Sequence, residues 1–202
     1  MYIPSYYRET DFSKLLAFMQ HHPFALLCSS GTGGLMGTHL PLIVEERNQQ
    51  VVITSHMARP NPQWKEMEAG TEIMVVFQGP HAYVSPAHYE LKQNVPTWNY
   101  IAVHAYGKAR ILPTEAENIE VLEKAIATFE PGYYEQWKTL APEYIQAMIK
   151  GIVSFEIVVE RLEGKFKLSQ NKREKEQENI IHSFERGGDP LAKAIADEMK
   201  KR

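Results

Sequence analysis

Apolar residues recur at two spacings along this chain, and each change of spacing marks an element boundary. Phe12, Leu15, Leu16 and Met19 fall three to four residues apart within residues 11–21. With Thr10 or Asp11 as cap and Pro23 just beyond, they predict a helix. Strand-like runs follow at 24–29, at 35–44 after a Gly31-Thr32-Gly33-Gly34 turn, and at 51–56. Asn61 as cap and Pro62 at the first helical position then predict a short helix near 62–69, closed by Gly70. Ile73-Met74-Val75-Val76-Phe77 and His81-Ala82-Tyr83-Val84-Ser85 flank Gly79-Pro80. That spacing predicts two antiparallel strands joined by a tight turn. Residues 100–112 alternate again, with Gly107 placed as a bulge would place it.

A helical stretch interrupts the strands. Thr114-Glu115-Ala116-Glu117 has the capping-box pattern, and Ile119, Leu122, Ile126 and Phe129 follow on one helical face. A second helix is expected over 142–150, and residues 151–162 return to strand. Asn171 and Glu174 mark another helix start that ends at Gly187-Gly188, and Asp189-Pro190 opens a final helix reaching about Lys200. Strands clustered early and resumed after helices predict an α+β fold with an antiparallel barrel or sheet, not alternating β-α units. The expected organisation is a body over 1–170, including a helical insertion at 114–150, and a helical extension over 171–202. Gly31 to Gly34 lack a following Lys-Ser/Thr and a helix, so they read as a hairpin turn, not a phosphate loop.

With 202 residues, 44% of them hydrophobic, the chain can bury a sizeable core. A formal net charge of −3 gives no global attraction to nucleic acid, so DNA contact would need a local basic patch. The single cysteine, Cys28, rules out an intramolecular disulfide and fits a reducing compartment; its apolar run suits a buried side chain. No segment has the length of a membrane span and no export signal is visible, so the expected location is the cytoplasm.

Four clusters carry potential chemistry. Gly37-Thr38-His39-Leu40-Pro41-Leu42 puts a proline inside a strand, which marks an edge, a bulge, or a place where something other than a strand lies alongside. His39 there suits either a ligand contact or a hydrogen-bonded, half-buried histidine. In the second, Thr54-Ser55-His56 ends a strand, and Arg59 and Asn61 stand before a helix start. This is a phosphate seat, or else a capped surface helix with a solvated arginine. The third is Val95-Pro96-Thr97-Trp98-Asn99-Tyr100 with His104 and Tyr106. Its flat faces and directional donors suit a planar ligand, a core or a subunit interface. The fourth is Gly164-Lys165-Phe166-Lys167-Leu168-Ser169-Gln170-Asn171. Alternation turns Lys165, Lys167 and Ser169 to one face, a cationic strip for phosphate or a row of solvated lysines.

The histidines form no His-x-x-x-His pair and no cluster with cysteine, so no metal site is expected. The serines lie in no Gly-x-Ser-x-Gly elbow and no acid/base carboxylate pair is recognisable. No catalytic residue is therefore assigned.

Together these motifs, with Met1-Tyr2-Ile3-Pro4, His56-Met57-Ala58-Arg59-Pro60-Asn61-Pro62-Gln63-Trp64 and Tyr83-Val84-Ser85-Pro86, resemble the FMN-binding negative transcriptional regulators of the PaiB type. The resemblance runs from residue 1 to about 185. It implies an antiparallel split β-barrel like that of pyridoxamine-phosphate oxidases, a homodimer, and FMN in a groove at the subunit interface. Carried over, Thr38, His39, Leu40 and Pro41 would lie beside the flavin. Thr54, Ser55, His56, Arg59 and Asn61 would hold the phosphate, and Trp98, His104, Lys167, Ser169 and Gln170 would complete the site. Oxidase-type phosphate sites have two adjacent cations; here Pro60 follows Arg59, so the second charge comes from elsewhere or is absent.

The resemblance implies repression of sporulation and degradative-enzyme genes. The residues give direct DNA contact little support. Residues 191–202 mix Lys193, Lys200, Lys201 and Arg202 with Asp197 and Glu198, and no helix-turn-helix pattern stands beside them. Regulation through a ligand-sensing dimer is the first expectation. An FMN-dependent oxidoreductase using the same site is the second, and a groove holding another planar ligand, such as haem or a nucleotide, is the third.

Overall fold

The structure is a computed structural model that describes residues 1–31 and 33–202; Thr32 of the expected turn lies outside the described residues. Its strands are β1 (Arg8–Glu9), β2 (Phe24–Gly31), β3 (Gly34–Pro41), β4 (Ile43–Arg47), β5 (Gln50–Ala58), β6 (Glu72–Val84), β7 (Thr97–Leu112) and β8 (Ile152–Lys167). Its helices are α1 (Phe12–His21), α2 (Gln63–Glu68), α3 (Glu115–Phe129), α4 (Tyr134–Trp137), α5 (Pro142–Lys150), α6 (Glu174–Arg186) and α7 (Pro190–Lys200). The strands form an eight-stranded sheet in the order β3-β2-β6-β7-β8-β5-β4, with β1 added on β8. The pairings β2–β3, β2–β6, β4–β5, β5–β8 and β1–β8 are antiparallel, so the fold is α+β with an antiparallel sheet.

The chain divides into two compact units. Unit 1 comprises Met1–Leu15, Gln78–Val103 and Glu163–Arg202; unit 2 comprises Leu16–Phe77 and His104–Leu162. The long strands β6, β7 and β8 each contribute residues to both units.

In unit 2 the two ends of the strand path, β3 and β4, are separated in sequence only by Leu42. Seven strands laid flat would span about 29 Å, whereas Pro41 and Ile43 can be at most about 7 Å apart. The sheet is therefore rolled on itself. Among the described residues no ladder closes it: Ser55 on β5 donates its hydroxyl to the Pro41 carbonyl at 2.7 Å across the gap. Leu27, Ile53, Val75, Phe77, Phe155 and Ile157 fill the interior and are almost wholly buried, which supplies the main driving force for this unit. α3 packs on the other face of β4 and β5. There Arg47 and Arg110 both pair with Glu156, and Lys124 bonds Glu45 and Glu120. The expected capping box at Thr114 and Glu117 starts α3.

In unit 1, α6 packs on α7 through buried Ile180, Phe184, Ile195 and Met199. Gly187, Gly188 and Asp189 join the two, and Asp189 caps α7 by accepting the Leu191 N–H at 2.9 Å.

Three expectations change. The single run over 35–44 is two strands at opposite ends of the path. The chain leaves the β2–β3 ladder at Leu42, whose N–H bonds the Pro23 carbonyl, and proline at 41 has no N–H to extend it. The hairpin at Gly79-Pro80 is absent, and β6 runs straight through both residues. Proline's fixed φ suits an extended chain and costs only one ladder donor, so Gly-Pro alone did not force a reversal. The short helix begins at Gln63, with Pro62 rather than Asn61 at its cap position.

Candidate functional site

Unit 2 organises the second cluster around a residue that the sequence reading passed over. Gln63 at the start of α2 is completely buried. Its Oε1 accepts from the Thr38 hydroxyl at 2.5 Å. Its Nε2 lies 3.0 Å from Ser29 Oγ, 3.2 Å from the Met36 carbonyl and 3.3 Å from the Leu27 carbonyl. Asn61 donates to Thr38 Oγ1 at 2.9 Å and accepts the Gln63 N–H at 3.0 Å. Thr38 and Asn61, both expected to contact the cofactor, are thus brought together, with their polar atoms spent on each other and on Gln63. The only signal for Gln63 was its place two residues after Asn61, where an Asx turn donates its N–H.

Arg59 is exposed and bound to the chain's own carbonyls: Nε to Lys150 O and Nη2 to Ile152 O, both at 2.8 Å. It closes the C-terminal end of α5, where unpaired carbonyls and the negative end of the helix dipole attract a cation. The Thr54-Ser55-His56 triplet is split by strand alternation. Ser55 faces the interior toward Pro41. Thr54 and His56, cross-strand partners of Glu156 and Ser154, share the opposite face with Arg47, which reaches Thr54 Oγ1 at 3.3 Å. Burial pushes the His56 imidazole below its ordinary pKa. Beside it, Ser154 is wholly buried, and among the described residues its hydroxyl has no hydrogen-bond partner.

β3 presents Leu35, Gly37, His39 and Pro41 outward, while Leu40 points into the core. The register sets His39 opposite Leu26 on β2, and its ring stacks on exposed Phe24 at 5.9 Å between centroids. The outward positions of β2 and β6 continue this strip with Leu26, Cys28, Met74 and Val76, all half-buried. His104 on β7 lies 3.4 Å from the Tyr106 hydroxyl through Nδ1. At Gly107 an added side chain would sit 2.1 Å from the Val158 carbonyl, so close backbone approach is what requires glycine there.

Unit 1 holds the remaining expected residues. Trp98 is half exposed, with its ring centroid 5.5 Å from His81 and 6.0 Å from Tyr83. Ser169 is buried in the left-handed region at φ 61°, unusual for a residue with a side chain, and donates to Asn99 Oδ1 at 3.0 Å. Gln170 accepts the Leu168 N–H at 2.7 Å and donates to the Phe166 carbonyl. Ser169 and Gln170 therefore fix the turn that ends β8. Lys167, just before it, bonds the Thr97 hydroxyl and keeps two of its three N–H donors unclaimed. Burial and the neighbouring Lys165 charge push its pKa down.

The donor chemistry fits a phosphorylated flavin. Unit 1 carries ammonium groups with N–H donors to spare, the kind of group a phosphate needs. Among the described residues no group of three or more His, Cys, Asp or Glu could hold a metal ion, and no helix is long and apolar enough to cross a membrane.

The α+β antiparallel fold and the family model together place the chain in a flavin-binding class of protein. Residues 1–161 match the family model "Putative FMN-binding domain", and the chain belongs to that family. FMN is the cofactor this membership assigns. The chain is 38% identical to Protease synthase and sporulation protein PAI 2 of Bacillus subtilis, over all of this chain and 98% of that one. A protein of Emericella nidulans is 30% identical over all of this chain and 97% of its own. The fold is similar to the flavocytochrome Anf3 from Azotobacter vinelandii, with a TM-score of 0.62 at 16% identity, covering 82% of this chain and 72% of that one. It is also similar to an FAD and heme binding protein from Mycobacterium smegmatis, with a TM-score of 0.61 at 12% identity, covering 80% and 73%.

Proposed function

We propose that this protein is a homodimeric, FMN-binding regulator that represses sporulation and degradative-enzyme genes as a ligand-sensing dimer. The family supports the cofactor, and the name of the Bacillus subtilis relative supports the regulatory setting. The observation that carries the dimer is the bare apolar strip on β2, β3 and β6, where Phe24 is 66% and Leu35 87% exposed. Contiguous exposed apolar surface of this kind marks an interaction site. Flavin contacts are proposed within each unit separately: the outward strip of β3 with His39 and Pro41 in unit 2, and the cationic turn at Lys167 in unit 1. Bound FMN supplies the redox chemistry and colour, and the protein's residues bind and orient it. We place the flavin-binding body at residues 1–170 and treat residues 171–202 as an extension.

Direct DNA contact through α6 and α7 has no electrostatic support. Residues 174–202 hold seven carboxylates against six cations, and Lys200 and Lys201 are paired to Glu185 and Glu198. An effector of another kind, acting through the dimer, fits this charge balance better.

The test is the absorbance spectrum and solution mass of the freshly purified protein. Flavin absorption and a mass twice that of the 23.2 kDa chain are expected. Replacing both Phe24 and Leu35 with Glu, at exposed positions that should not affect folding, should halve the mass. A colourless monomer that ignores added FMN would end this reading. Rapid bleaching of the colour by NAD(P)H would move the function to an oxidoreductase.

A further inference from the structure

The start of β1 and the end of β8 place three cations together in unit 1. Arg8 is the direct cross-strand partner of Lys165 in an antiparallel pair, so their side chains leave the sheet on one face. Lys167, two residues on, shares that face. Like charges set directly opposite each other destabilise a strand pair unless something neutralises them. Among the described residues none of the three makes an ion pair.

The surroundings are aromatic, and the carboxylate on the same strand face, Glu163, is paired with the Met1 ammonium. Lys165 donates to the Tyr2 carbonyl at 3.1 Å, and its ammonium lies 5.3 Å from the Tyr100 ring centroid and 5.9 Å from that of Tyr2. Lys167 donates to the Thr97 hydroxyl and lies 5.9 Å from the Tyr7 centroid. Each lysine uses one of its three N–H donors in this way. Four donors therefore remain for a ligand, beside the guanidinium of Arg8. Lys167 is held at the edge of a rigid turn by the buried Ser169–Asn99 bond, and Tyr7 is tied to that turn through Asn171 Oδ1 at 3.0 Å. Among the described residues the buried Tyr89 hydroxyl has no hydrogen-bond partner. Arg59, by contrast, already serves two carbonyls.

We infer that Lys165 and Lys167, assisted by Arg8, are the seat of the cofactor's phosphate, and that Arg59 is a structural clasp. This rests on the flavin-binding reading above and assigns its anionic end. Two adjacent cations on one strand face supply the charge pair that Arg59, followed by Pro60, does not.

The experiment titrates the flavin-free full-length protein with FMN and with riboflavin, which lacks only the phosphate, and follows flavin fluorescence. The wild type should prefer FMN. In K165Q/K167Q the FMN affinity should fall about 10- to 100-fold while riboflavin affinity stays unchanged, and K165R/K167R should restore the preference. R59Q should keep the wild-type preference. The inference is overturned if K165Q/K167Q retains the preference, if it loses both flavins alike, or if R59Q abolishes the preference. A wild type that binds both flavins equally also overturns it while leaving the flavin reading intact. A wild type that binds neither flavin removes the flavin reading itself, and this assignment with it.

Discussion

Gln63→Leu removes the hub of unit 2 with almost no change in side-chain volume, so the cost is polar rather than a cavity. Gln63 accepts one bond from Thr38 and shares its two Nε2 protons among Ser29 Oγ and the Met36 and Leu27 carbonyls. Three neutral bonds are worth about 1 kcal/mol each. Leaving Ser29 Oγ without its donor, in a residue only 3% exposed, adds about 1–2 kcal/mol. Thr38 is only half-buried, so its hydroxyl can turn to another acceptor or to water, and the two carbonyls have second lone pairs, so their share stays small. The expected loss is about 3–5 kcal/mol, a large part of a typical domain's stability. With a urea m-value of about 2–3 kcal/mol/M, the unfolding midpoint should fall by about 1.5 M at unchanged slope. Asn61→Ala severs only the outer bonds and should cost about 1–2 kcal/mol. A midpoint shift under about 0.5 M for Gln63→Leu would refute the claim that this network anchors β3 to α2.

Gly107→Ala drives a methyl into the Val158 backbone, which cannot move without parting β7 from β8. The expected cost is at least about 3 kcal/mol, read as a lower melting temperature, and a wild-type melt would show that the strands have room. His56 carries a pH prediction. Burial lowers its folded pKa below the unfolded 6.5, so its neutral form is favoured by folding. The stability this gives is present above pH 6.5 and is lost as pH falls through the folded value. Wild-type stability should decline between pH 7.5 and 5 more steeply than that of His56→Gln; a difference between them that does not vary with pH would exclude His56 as the source.

Elements whose signal is local were legible in the chain. The capping box at Thr114 and Glu117, Pro142 opening α5, and Asp189-Pro190 opening α7 are chemistry written over four residues or fewer, and each stands in the structure as expected. That Lys165 and Lys167 share one strand face was legible too, because alternation alone puts both lysines on one side. The Gly79-Pro80 turn failed because the dipeptide permits a reversal without requiring one.

By itself, then, the sequence determined the α+β class and most helix limits, because period and caps are properties of neighbours along the chain. Tertiary structure alone decided that residues 35–44 split at Leu42 to form both ends of a rolled sheet. It alone made Gln63 a buried hub, tied Arg59 to α5, and set Arg8 opposite Lys165. Each of these depends on which distant segments pair, and pairing follows the collective burial of two strand faces, which no single stretch of residues encodes.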